Sequence, residues 1–136
     1  MKDELQQLIR KLDSKEHLDW LPEMRLGKPA YEHLLTNLQG EKLNRNQTAN
    51  ALHGLFRLRS HGQESDVFSL MKLFATNSEI NVRSQAVKLL IGMVKLHNQQ
   101  APFTVGECSE SIKKGITLGL DKDTAALAKR FLDKQN

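Results

Sequence analysis

Five histidines and one cysteine are the side chains best equipped to hold a metal or act as a nucleophile, and their spacing favours neither role. His17, His33, His53, His61 and His97 are scattered, and none stands with another His or a Cys at a ligand spacing such as His-x-x-x-His. Cys108 falls near the start of a helical segment, where the dipole would lower its pKa, but Glu107 and Glu110 oppose that and no histidine is close. A half-buried structural thiol is the expectation. Lys113-Lys114-Gly115-Ile116-Thr117-Leu118-Gly119 lacks the Gly-x-x-x-x-Gly-Lys-Ser/Thr order that cradles phosphate. No catalytic, cofactor-binding or metal-ligating set emerges, so the expected protein is not an enzyme and carries no cofactor.

What remains is charge. Lys and Arg outnumber Asp and Glu by 20 to 16, giving +4 and a pI near 9.3. That balance suits an acidic partner surface and is weaker than that of a dedicated nucleic-acid arm. Aliphatics dominate an apolar content of 39 %, with aromatics at only 5 %, which fits a helical core and excludes a disordered chain. One cysteine allows no internal disulfide. Met1-Lys2-Asp3-Glu4 opens no apolar leader, and Leu89-Leu90-Ile91-Gly92-Met93-Val94 is far short of the ~20 residues of a membrane span. A cytoplasmic setting without membrane contact is expected.

The elements that would position these charges are helices, because apolar residues recur at helical spacing and no segment alternates like a strand. About seven are expected. The first covers about residues 2–13, with Leu5, Leu8, Ile9 and Leu12 on one face. A connector with Trp20, Pro22 and Gly27 follows, with a turn around His17 to Leu21. The others span about 29–40, 44–60, 64–76, 80–98, 104–119 and 121–134. Pro29 suits a first turn, Gly40 and Gly62 are stops, and Pro102 ends the longest helix. Thr104-Val105-Gly106-Glu107 reads as a capping box, and Asp121 as an N-cap.

A repeat runs through these helices. Shifted by 38 positions, Arg45, Gln47, Leu52, Gly54 and Leu58 meet Arg83, Gln85, Leu90, Gly92 and Leu96. A further shift brings Ala125, Leu127, Ala128, Phe131 and Leu132 onto the same apolar positions. A period of this size signals a solenoid of helix pairs. The recurring glycines cost about 1 kcal/mol each inside a helix, so close packing by a neighbour is expected at both. With residues 49, 52 and 56 inward, the outward stripe of the third helix is Asn46, Asn50, His53 and Arg57. Its counterparts are Ser84, Lys88, Ile91 and Lys95, then Lys122, Ala126, Lys129 and Asp133.

Val82-Arg83-Ser84-Gln85-Ala86-Val87-Lys88-Leu89-Leu90 resembles the second helix of a HEAT repeat, with its Val-Arg-x-x-Ala-x-x-x-Leu signature. The likeness is partial around Arg45 and Leu52, where Thr48 replaces the alanine, and weak where Asp121 replaces the arginine; it covers about residues 29–134. It implies an all-α, right-handed stack of antiparallel helix pairs, a HEAT/ARM-like α-solenoid. The chain 1–136 would be a single domain, with 1–26 as an N-terminal cap and 27–136 as three pairs. In such stacks Arg45 and Arg83 join a polar ladder between repeats, and the second helices line the concave face. That face would carry Asn50, His53, Arg57, Lys88, Lys95, Lys122 and Lys129 against one carboxylate, Asp133, with Ile91 as an exposed apolar contact.

Small stand-alone proteins of this form are similar in size and style to bacterial immunity proteins, which cover the active site of a cognate toxin. The resemblance implies a clamp on an acidic protein partner. Two alternatives are a nucleic-acid binder in the manner of HEAT-like DNA glycosylases and an adaptor or scaffold subunit. The stripe lacks stacking aromatics, which favours the protein partner.

Overall fold

In the computed structural model, which describes residues 2–13 and 22–134, seven α-helices and two short 3-10 segments are the regular elements. The helices are α1 (Lys2–Lys11), α2 (Lys28–Gln39), α3 (Arg45–Arg57), α4 (Glu64–Phe74), α5 (Ile80–Leu96), α6 (Val105–Leu118) and α7 (Lys122–Lys134). The 3-10 segments are Pro22–Leu26 and Arg59–His61; the turn expected around His17 to Leu21 lies outside the described residues. The chain is therefore all-α, and no strand occurs among the described residues. It forms two compact units, Met1–Val67 and Phe68–Asn136, divided within the sequence of α4.

In the first unit, α2 packs on both α1 and α3. Pro29 sits in the first turn of α2, where a missing N–H loses nothing, and Gly40 closes the helix through amide bonds to Leu38 and Thr36. Asn44 caps α3: its side chain accepts from the Gln47 amide at 2.8 Å while the Gln47 side chain accepts from the Asn44 amide at 3.1 Å. Leu8, Leu12, Leu34, Leu38, Leu52 and Leu55 are fully or almost fully buried and form the core. Two α3 side chains also close α1. Gln47 Nε2 donates to the Ile9 carbonyl at 3.1 Å and Asn50 Nδ2 to the Leu12 carbonyl at 2.8 Å, satisfying carbonyls that a helix end leaves open.

The second unit is organised around α5, which buries ten of its seventeen residues and so cannot be a one-sided surface helix. Both α6 and α7 pack on it. Thr104 caps α6 by accepting from the Glu107 amide at 3.0 Å, but only half of the expected capping box is made. The Glu107 carboxylate turns instead to Lys72 of α4, at 2.9 Å. Asp121 caps α7 as expected, accepting from the Thr124 amide at 2.8 Å. Gly115 of α6 lies where a Cβ would stand 2.9 Å from the Ala75 carbonyl oxygen, so this contact requires glycine. Phe103, in the segment before α6, meets Phe68 edge-on at 5.0 Å and stacks on His97 at 4.0 Å. No helix among the described residues is long and apolar enough to cross a membrane.

Candidate partner-binding surface

The surface is built on α5 and α7, whose directions follow from two contacts. At their N-terminal ends the Asp121 amide donates to Ser84 Oγ at 3.0 Å. At their C-terminal ends Lys95 and Gln99 line the same cleft as Arg130 and Lys134. The two helices are therefore parallel. The C-terminal end of α6, Leu118–Gly119, returns to Arg83 near the start of α5, so α6 runs antiparallel to α5.

Arg83 fixes that end. Although charged, it is only 7 % exposed, and its guanidinium donates five hydrogen bonds to backbone carbonyls. Nε and one Nη reach Gly119 at 2.9 and 2.6 Å, and that Nη also reaches Leu118 at 3.2 Å; the other Nη reaches Asn77 and Ser78, both at 2.9 Å. A buried cation is tolerated when its donors are satisfied. Arg83 thus joins the α4–α5 turn to the end of α6, a structural role. Arg45, its partner in the repeat, is exposed at the start of α3.

Of the stripe expected on α5, Lys88 and Lys95 are exposed, whereas Ser84 and Ile91 are buried at 1 % and 2 % exposure. The assignment of Ile91 as an exposed contact point is corrected. Ser84 and Ile91 lie one way round the helix from Lys88 and Lys95, on the flank where Ser84 meets the start of α7. The accessible strip runs instead through Asn81, Gln85, Lys88, Gly92 and Lys95. On Gly92 nothing stands within 4 Å of an added Cβ, so the expectation of a tightly packed glycine fails there. It holds at Gly54, where Leu34 Cδ1 would be 3.1 Å away.

On α7, Thr124, Ala128 and Phe131 are buried, and Lys122, Ala126, Lys129 and Asp133 form the opposite, exposed side. Lys122 and Lys129 are therefore placed as the sequence suggests. In the first unit Arg57 is exposed, while Asn50 and His53 are half-buried. Asn50 donates to the Leu12 carbonyl, which gives it a structural use.

The electrostatics are uneven along α5 and α7. Burial alone would raise the Asp121 carboxyl, but hydrogen bonding from Thr124, the charge of Lys88 and the Ser84 hydroxyl together hold it below its usual value. Lys88 therefore has a carboxylate nearby at the N-terminal end of the pair. The cleft of about 200 Å³ at the other end is lined by Lys95, Gln99, Leu127, Arg130, Phe131 and Lys134, with no carboxylate among them. Sequence spacing missed Arg130 and Lys134, because both sit on the flank of α7 beside Leu127, away from its outermost stripe.

Cys108 is fully buried, and its thiol is pushed up to about 11 by that burial. Reactive-thiol chemistry at neutral pH needs the opposite shift. Among the described residues no group of three His, Cys, Asp or Glu could hold a metal ion. No family model matches the chain, and no curated protein or solved structure matches it either.

Proposed function

We propose that this chain is a non-enzymatic binding module that holds an acidic protein partner against the basic face of α5 and α7, as an immunity or inhibitor protein covers a toxin. The observation that carries this is the distribution of charge. Residues 1–67 contain ten basic and ten acidic side chains, whereas residues 68–136 contain ten basic and six acidic, so the whole net charge of +4 belongs to the second unit. Lys88, Lys95, Lys122 and Lys129 are exposed there on two parallel helices. Complementary charge steers encounter and selects partners, and a rigid helical face provides the geometry.

A HEAT-like stack of helix pairs in a cytoplasmic protein belongs to the same proposal. Its support is local: α5 and α7 run parallel with α6 antiparallel beside α5, as the inner helices of successive pairs would. The exposed face of α7 carries Ala126, Asp123 and Asp133 between its cations and no aromatic ring, which suits a protein surface better than a track of phosphates or stacked bases.

The test is capture of a partner from cell extract with and without nuclease, using the native chain and Lys88→Glu with Lys95→Glu. A protein retained after nuclease treatment and lost with the double reversal is expected. Retention that vanishes with nuclease would reject the proposal, and so would a roughly hundredfold loss of affinity between 50 and 200 mM salt for purified duplex DNA, the mark of about four phosphate contacts. Ile91→Asp is unsuited to this experiment, because it buries a charge in the core.

A further inference from the structure

We infer that the cleft between the C-terminal ends of α5 and α7 is the anchor of this face, taking a carboxylate-bearing segment of a protein partner with an aliphatic side chain against Leu127. The inference rests on the acidic-partner reading above and locates it.

Lys95, Arg130 and Lys134 converge on one cleft, and no carboxylate is among its described lining residues. Gathering three like charges is unfavourable in the free protein, and a bound anion relieves it. At the N-terminal end of the same helices Asp121 already answers Lys88, so an incoming carboxylate gains less there. The attractive field is therefore concentrated where Lys95 of the expected stripe meets Arg130 and Lys134, which sequence spacing alone would not choose.

The shape of the cleft narrows the occupant. Half-buried Leu127, with Phe131 almost covered at 4 % exposure, supplies its apolar lining, and exposed Lys95, Arg130 and Lys134 supply its charge. An apolar lining residue among three cations matches a Leu or Ile flanked by Glu or Asp. Phe131 is covered and offers no face for base stacking. Exposed Asp133, next to Lys134 in sequence, breaks the run of positive charge that a nucleic-acid backbone would follow. Arg130 can grip a carboxylate with two parallel N–H donors, and Lys95 and Lys134 add point charges.

The test is an amide-shift titration of the full ¹⁵N-labelled chain with acetyl-Glu-Glu-Leu-Glu-Glu-amide. The controls are its Gln counterpart, inorganic phosphate and a short thymidine oligonucleotide. Saturable shifts at Gln99, Leu127 and Arg130 with the acidic peptide alone are expected. Arg130→Glu with Lys134→Glu should weaken binding at least tenfold, and Arg130→Gln with Lys134→Gln should do so in part, with the spectrum otherwise native. Lys113→Glu with Lys114→Glu, on α6, should change it less than twofold. Shifts centred on Lys88 and Lys122, no saturable shift, or tighter binding of phosphate or the oligonucleotide would overturn the anchor. A captured protein that is lost with the Lys88 and Lys95 reversals but survives those at Arg130 and Lys134 would overturn the cleft alone. Nuclease-sensitive capture would overturn the broader reading as well.

Discussion

Helices α3 and α5 carry the same residues at matching positions and put them to different uses. Leu52 and Leu90 are both fully buried, so the apolar position of the repeat has one meaning in each. Arg45 is exposed while Arg83 is buried among four carbonyls. Gly54 is pressed by Leu34, while Gly92 faces open space between Lys88 and Lys95. The helices differ in what surrounds them. α5 is covered by two later helices and keeps only a narrow accessible strip, and that strip is basic. The repeat therefore keeps Leu52 and Leu90 in the core, but Leu58 is 6 % exposed and its counterpart Leu96 58 %, so the other shared positions are set by local packing.

The arginines give the sharpest way to break this comparison. Arg83→Ala strips five hydrogen bonds and strands the carbonyls they served, which should cost about 3 to 5 kcal/mol. Arg83→Lys should recover only part of the loss, because one ammonium cannot span the same carbonyls. Arg45→Ala should cost less than about 1 kcal/mol, as expected of an exposed charge. Denaturant unfolding of the three variants checks this; equal losses at Arg45 and Arg83 would mean that both arginines serve a common ladder.

The leucines test what the two helices share. Leu52→Ala and Leu90→Ala should each destabilise by about 2 to 5 kcal/mol through the cavity left behind. Lys88→Ala, on the accessible strip, should cost under ~0.5 kcal/mol. Matching shifts in melting temperature for Leu90→Ala and Lys88→Ala would show that the faces of α5 are misassigned.

The glycines give the smallest effect and the finest distinction. Gly92→Ala should stabilise by up to about 1 kcal/mol, since the helix gains a better former and nothing obstructs the methyl. Gly54→Ala meets Leu34 Cδ1 at 3.1 Å and should gain nothing or lose stability. A stabilised Gly54→Ala would show that Leu34 yields freely.

Much of the helical layout is legible in the sequence because its signals are local. Pro29, Gly40 and Asp121 mark ends that the structure keeps, with boundaries within a few residues. The capping box at Thr104 is half right, since a distant lysine claims Glu107. The errors on α5 have one cause. Helical periodicity finds the widest outward face if a helix is covered from one side, and α5 is covered from more than one. Ser84, which meets Asp121 just before α7, and Ile91 on the same flank are buried for that reason, and nothing within α5 signals it. Arg130 and Lys134 are not legible in the sequence for the converse reason: they share a cleft with Lys95 only where α7 brings them beside it.

If a partner binds the basic face of residues 68–136, as proposed, cations elsewhere in the chain should matter little. The most direct measurement is the affinity of the captured partner, by calorimetry, for two charge-reversed variants. Lys88→Glu with Lys95→Glu should weaken binding about a hundredfold, or about 2.7 kcal/mol. Arg45→Glu with Arg57→Glu, an equal change of charge in the first unit, should weaken it less than threefold. Equal losses from the two pairs, or the larger loss from Arg45 and Arg57, would contradict the account.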